Sequence, residues 1–298
     1  MKKQLPKFQF LAAMGIFGTI GLCREYIGLS SAAVAFCRGV LGCGFLLLFM
    51  LITGKRFDRQ AVKGNALILC LSGAAIGVNW VLLFEAYRYT TVATATACYY
   101  LAPMFLLLAS PLVGEKLTVK KLACIAVALV GMVFVSGVME GGIPKLSELM
   151  GVLCGVGAAV FYATVMVLNK KLSPIPAYDK TAIQLAMAAA VVLPYILFTG
   201  DTDISGMDAL GWVLLAVVGI VHTGLAYTMY FGAMGKLPAT TVAVFSYLDP
   251  VIAVLLSALI LREEMTGWGI AGTVMILAAA LYSELPTRRA NGQLKIDN

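Results

Sequence analysis

Apolar stretches of about twenty residues, set apart by short charged or turn-forming segments, fill almost the whole chain. About 20 apolar residues are what a helix needs to cross the hydrocarbon core of a bilayer. Reading the runs between charge clusters predicts ten such helices, at residues 8–27, 30–53, 65–87, 91–113, 119–139, 149–170, 178–199, 208–231, 238–261 and 267–284. The longest connections, around 141–147 and 200–207, are too short to hold a folded domain. The expected fold is an all-α membrane protein of ten transmembrane helices.

Composition agrees, and charge adds an orientation. The chain is 61% apolar and 12% charged, with a mean hydropathy of +0.93. A soluble domain carries about 25% charged residues and avoids large exposed apolar patches, so a soluble enzyme and a nucleic-acid module are excluded. With the N-terminus inside, the inner segments hold seventeen Lys and Arg, whereas the outer ones hold only Arg88, Lys145 and Arg262. The outer loops are acidic instead, with Glu140, Glu148, Asp201, Asp203, Asp208, Glu263 and Glu264. Basic residues gather on the cytoplasmic side of membrane proteins. Both termini are therefore expected in the cytoplasm, with 285–298 as a cytoplasmic tail. The net charge of +7 reflects this asymmetry, and no nucleic-acid partner is expected.

The second half repeats the first. A constant offset of 147 sets 84–103 over 231–250 and matches Phe84/Phe231, Ala86/Ala233, Thr94/Thr241, Tyr100/Tyr247, Leu101/Leu248 and Pro103/Pro250. Upstream, Gly77 falls on Gly224, and one residue of slippage downstream aligns Glu115 and Thr118 with Glu263 and Thr266. The repeats run over 8–139 and 149–284. Each holds five spans, an odd number, so the second copy enters the membrane upside down. Two inverted halves rocking about a midplane site are a transporter device.

These segments resemble the paired EamA domains of the drug/metabolite transporter superfamily. Phe17-Gly18-Thr19 is similar to the family's Trp-Gly-Ser start, with Phe in place of Trp. Arg38 matches the arginine common in its second helix, and Ala86-Tyr-Arg-Tyr-Thr-Thr resembles its Ala-Leu-x-Tyr-Thr turn. Leu101-Ala-Pro103 with Gly114-Glu115, and Leu248-Asp-Pro250 with Glu263, resemble its Leu-x-Pro and Gly-Glu segments, although Arg262 stands where Gly is usual. The resemblance implies ten helices and solute transport, with export the commoner direction. Its motifs mark packing and topology and leave the substrate open.

An ionisable side chain at the centre of a span costs about 2.5–3.5 kcal/mol on insertion scales, so each one needs a reason. Three stand out as candidates for a substrate pathway. His222, the only histidine, is a substrate ligand or proton carrier, or else a neutral imidazole bonded to a neighbouring helix. Asp249 lies just before Pro250, whose missing N–H bends the helix and frees a carbonyl. There it can hold a cation or ammonium group, or pair structurally. Arg38 can hold a carboxylate or phosphate through two hydrogen bonds, neutralise Asp249, or cap helix carbonyls. Asn79, Trp80, Tyr99, Tyr100, Tyr227, Tyr230 and Tyr247 complete the candidate pathway, since Tyr and Trp pair an apolar face with one polar handle. Pro103 and Pro250 are the expected hinges. Glu85 and Arg88, one turn apart, read as an interfacial pair.

Other chemistry finds no support. The seven cysteines form no CxxC pair and have a single histidine as a possible partner, so no metal or cofactor is expected. Gly15-x-x-Gly18-x-x-Gly21, Gly39-x-x-Gly42 and Gly151-x-x-x-Gly155 lack the strand before and Lys-Ser/Thr after that a phosphate loop needs, and read as packing seams. With one histidine and no paired carboxylate array in the spans, no catalytic residues are expected. The expectation is a secondary active transporter of a small metabolite, such as an amino acid or organic cation, working as monomer or homodimer in the plasma membrane. Its partners are the small-molecule substrate, membrane lipid and, where His222 carries them, protons. A flippase for lipid-linked carriers is the alternative, because related superfamily members move such carriers.

Overall fold

The computed structural model describes residues 5–109, 111, 118–135, 139, 146–200, 203–234, 236–237, 245–246, 248–285, 287–288 and 294–295. Helices account for its regular structure, apart from the two-residue strands Thr287–Arg288 and Leu294–Lys295, which pair antiparallel. Six helical stretches are long and apolar enough to cross a membrane: Leu5–Glu25, Ser31–Ile52, Ala66–Tyr89, Leu146–Lys170, Ala177–Thr199 and Ala209–Ala233. Shorter apolar helices run over Val92–Leu108, Val119–Val135, Leu248–Leu261 and Gly267–Ser283. Large apolar side chains such as Leu51, Phe198 and Leu259 cover the outside. An exterior of that kind suits lipid rather than water.

Several of these helices begin where the sequence supplies a capping oxygen. The side chains of Ser30, Thr91, Asp208 and Thr266 each accept a hydrogen bond from a backbone N–H three residues on. That satisfies one of the donors a helix start leaves open. Where a helix departs from α geometry, the cause is local. The first is α1 (Leu5–Gly18) and α2 (Ile20–Glu25), separated at Thr19. The helix α3 (Ser31–Ile52) follows, then the short α4 (Arg59–Gly64) and the long α5 (Ala66–Tyr89). Next, α6 (Val92–Tyr99) and α7 (Ala102–Leu108) break at Tyr100–Leu101, with Pro103 in the first turn of α7. Proline brings no N–H to a helical hydrogen bond, so the expected hinge at Pro103 coincides with a real break.

In the remainder, α8 (Val119–Val135), α9 (Leu146–Lys170) and α10 (Ala177–Thr199) are continuous. The α11 (Ala209–Ala216) and α12 (Ala226–Met234) helices are joined by a π-helical stretch, Val217–Leu225. After α13 (Leu248–Leu256) a second π stretch, Ser257–Leu261, ends at Arg262 with φ 55°. It falls where the second repeat carries its one extra residue. A π turn holds one residue more than an α turn, so the helix absorbs the insertion without turning Glu263 away. Both carboxylate oxygens of Glu263 accept from the Val92 N–H, at 3.0 and 2.9 Å, and one also accepts from the Ser257 hydroxyl. The final helix is α14 (Gly267–Glu284).

Packing pairs the helices in a regular way. α5 lies along α9, and α12 along α1; α10 packs on α3 and α5; α8 packs on α14. Small residues sit at these crossings. A Cβ added to Gly131 or Gly272 would meet the backbone carbonyl of the other, so α8 and α14 touch through their main chains. Gly39 faces Leu185 and Ala189, Gly42 faces Thr223, and Gly155 faces Cys98, as the packing-seam reading expected. Polar side chains add cross-links between helices. Gln184 Nε2 donates to Ser72 Oγ at 2.6 Å and to Asn169 Oδ1 at 2.7 Å, joining α10, α5 and α9.

Candidate functional site

The site is assembled from helices far apart in sequence. On α3, Arg38 is 6% exposed; its Nε donates to Thr223 Oγ1 at 2.9 Å, and its guanidinium lies 4.1 Å over the Trp80 ring of α5. A planar cation on an aromatic face is held by the ring's negative quadrupole. Its two terminal nitrogens make no hydrogen bond to any described residue. On α13, Asp249 accepts one hydrogen bond, from the Tyr100 hydroxyl at 2.8 Å, and forms no ion pair with a described residue. Arg38 acts on Asp249 through space only. A guanidinium and a carboxyl group are thus held in one region without touching each other.

Tyrosines lie close to both groups. Tyr99 lies 5.9 Å from Tyr100 edge to face and stacks on Tyr162 at 5.2 Å, with 17° between planes. Tyr227 and Tyr230 meet Phe17 from α1 at 5.4 and 6.3 Å. All five tyrosines and Asp249 are half-buried. The Tyr162, Phe17, Thr19 and Thr223 side chains were not among the sequence candidates. Nothing marks a hydroxyl or a ring within an apolar run, and only the fold brings them here.

His222 sits on the first π stretch. Its Nε2 is 2.8 Å from Thr19 Oγ1, in the break between α1 and α2, and its Nδ1 is 3.3 Å from the Val217 carbonyl. Gly18 brings α1 against α13 so closely that an added Cβ would lie 2.7 Å from the Asp249 carbonyl. The break in the first helix is therefore wedged between the His222 side chain and the Asp249 backbone.

The other candidates fall into place differently. Trp80 is the platform under Arg38. Asn79 is 2% exposed and donates to the Ala158 carbonyl at 2.6 Å, so its amide ties α5 to α9. Pro250 stands in the first turn of α13. Tyr247 lies outside the described residues. Arg88 and Glu85 form the expected ion pair, at 2.9 Å and exposed. Arg24 closes the 27–29 loop by donating to the Ile27 and Leu29 carbonyls. At the same end of the bundle a cavity of about 450 Å³ is lined by Glu25, Tyr87, Arg88, Glu263 and Glu264, and one of about 600 Å³ by Arg24, Tyr87 and Asp203. The hydroxyl and backbone N–H of Ser205 hold the Asp203 carboxyl below the usual carboxylate range.

The profile of the EamA-like transporter family matches the chain twice, over residues 5–137 and 149–284. The uncharacterized transporter YxxF of Bacillus subtilis strain 168 is 30% identical over 280 residues, which cover 93% of this chain and 88% of that protein. A Salmonella typhimurium protein named "Probable amino-acid metabolite efflux pump" is 28% identical over 179 residues, 55% of this chain and 58% of that one. A solved crystal structure, 19% identical, covers 95% of this chain and 96% of its own with a TM-score of 0.64, and so shares the fold. The chain belongs to the EamA-like transporter family, as a multi-pass membrane protein that transports rather than catalyses.

Proposed function

We propose that the protein is a secondary active transporter that exports a small zwitterionic metabolite of the amino-acid class across the plasma membrane. The observation that carries this reading is the separate holding of Arg38 and Asp249. The guanidinium offers two free nitrogens, the right fork for a carboxylate. Asp249 offers a carboxylate with one hydrogen bond, suited to an ammonium group. Between them the tyrosines supply apolar faces with polar edges for the rest of the solute. The Salmonella relative's name supports both the substrate class and the direction. An organic cation, which would use Asp249 and the rings alone, is the second candidate class.

Transport on this reading is alternating access by two inverted five-helix halves, with ten crossings and both termini cytoplasmic. The helix packing supports it. Exchanging the two halves turns the α5–α9 pair into the α12–α1 pair and leaves the α3–α10 and α8–α14 pairs unchanged. His222 is the proposed proton carrier, because histidine is the side chain whose ordinary titration range lies nearest neutral pH.

Proteoliposomes loaded with single amino acids test the substrate class. Efflux of the substrate should fall about tenfold or more in affinity when Arg38→Lys removes the fork or Asp249→Asn removes the charge, each a loss of about 1.5–3 kcal/mol. His222→Gln should keep binding while transport loses its response to a pH gradient. Unchanged affinity in both charge variants would overturn the zwitterion site. A wild-type protein indifferent to the gradient would overturn the proton role.

A further inference from the structure

Thr19 and His222 meet where two helices both leave α geometry, and the hydrogens between them can be counted. Thr19 Oγ1 is 2.8 Å from the Ile16 carbonyl and 2.8 Å from His222 Nε2; His222 Nδ1 is 3.3 Å from the Val217 carbonyl. Both carbonyls only accept, and the threonine hydroxyl has one hydrogen to give. All three contacts are hydrogen bonds only when both ring nitrogens carry a hydrogen. Nε2–H then donates to Thr19, Nδ1–H donates to Val217, and Thr19 passes its own hydrogen to Ile16. A neutral ring satisfies two of the three. With its hydrogen on Nδ1, Nε2 must take the Thr19 hydrogen, and the Ile16 carbonyl loses that bond.

We infer that Thr19 is the positioning residue through which the protonation of His222 acts on the break in the first helix. The inference rests on the reading of His222 as proton carrier and deepens it. A protonated ring leaves the Thr19 hydroxyl on Ile16 and closes the turn, and a neutral ring with its hydrogen on Nδ1 draws the hydroxyl away. Gly18, the next residue, touches the Asp249 carbonyl and the Ile252 side chain. A change in the turn is therefore felt by the helix that carries Asp249. The titratable groups on the elements packed against the π stretch are Lys7 on α1, Cys23, Arg24 and Glu25 on α2, Cys37, Arg38 and Cys43 on α3, and Tyr227 and Tyr230 on α12. Of these, Arg38 faces the imidazole with a charge. An anionic substrate group seated on Arg38 would relieve that charge, so substrate and proton should each favour the binding of the other.

The single histidine makes the test direct. Full-length protein labelled with 15N-histidine, purified without a histidine tag in detergent micelles, reports the two ring nitrogens of His222 alone. Between pH 3 and 8 the wild type should titrate, and Thr19→Ser, which keeps the hydroxyl, should follow it. Thr19→Val should hold the proton about tenfold more weakly, because a hydrogen bond from a charged donor is about twice as strong as a neutral one. Transport by Thr19→Val should lose its pH response, and Thr19→Ser should keep it. Thr19→Ala gives the same comparison if valine unsettles the break. Identical titrations in wild type and the hydroxyl-free variants would overturn the inference while leaving His222 as the carrier. Serine behaving like valine would also overturn it, since shape rather than the hydroxyl would then matter. A wild-type ring fixed in one protonation state across this range would overturn both.

Discussion

Asp249 and Arg38 are each held by neutral partners, and this decides what their loss should do. Removing one member of a buried ion pair strands the other charge and costs about 3–5 kcal/mol. Asp249, however, forms no ion pair with a described residue and is bonded to the Tyr100 hydroxyl. Asp249→Asn keeps an oxygen for that hydroxyl, so the variant should fold, elute as a single species and melt within a few degrees of wild type. Only its affinity for substrate should suffer. A melting temperature lowered by ten degrees or more, restored by adding Arg38→Gln, would mean that the two charges pair after all. These ionisable residues were legible in the sequence because each stands out within an apolar run. Their threonine partners were not. Thr223 lies 185 residues from Arg38, and Thr19 lies 203 residues from His222. A threonine in an apolar helix has no distinguishing pattern until the fold supplies its neighbour. Asn79 shows the converse: its polarity was visible, but its bond to the Ala158 carbonyl was not.

Helix positions were read well wherever the apolar run was long, because membrane thickness sets the length of a span. Breaks were legible only where proline announces them. Pro103 marks the α6–α7 break, whereas nothing in Gly18-Thr19 or in 217–225 distinguishes a broken or π-helical turn from a regular one. Glycine seams belong to the same scale, and they carry a sharp contrast. Between lipid-embedded helices association comes largely from close van der Waals packing, which small residues allow. A side chain at Gly272 would strike the Gly131 carbonyl and the Val135 side chain, whereas one at Gly267 would meet nothing within 4 Å. Gly272→Leu should therefore separate α8 from α14 and cost about 1–3 kcal/mol or more, as overpacking does. Gly267→Ala, in the first turn of α14, should be neutral or stabilise by up to about 1 kcal/mol through a less flexible unfolded chain. Thermal unfolding in micelles compares the two. Equal melting temperatures would mean that the α8–α14 crossing contributes little.

At the scale of the whole molecule the two ends differ, and the difference gives orientation a testable form. One end carries both cavities, with Glu25, Arg88, Glu263 and Glu264 around the smaller and Asp203 beside the larger. The other end is tied shut. Asp179 on α10 accepts from the Asp58 N–H at 2.8 Å, and Asn65 exchanges hydrogen bonds with the backbone of Ser173. The open end is the acidic one, which the charge distribution assigns to the outside; the tied end bears Arg56, Arg59, Lys63, Lys170 and Lys171, which it assigns to the cytoplasm. On the proposed topology, the two ends would make this an outward-open form. Single cysteines at Ser147 or Asp203, in a chain with its seven native cysteines replaced, should react with a membrane-impermeant maleimide added to intact cells. Cysteines at Arg59 or Lys171 should react only after the membrane is permeabilised. A cysteine at Thr94, which lines the smaller cavity, should label from outside as well, and should slow when substrate shifts the population toward the inward-open form. Labelling of Arg59 in intact cells would reverse the topology. Labelling at Thr94 from the cytoplasmic face alone would keep the topology and overturn the outward-open assignment.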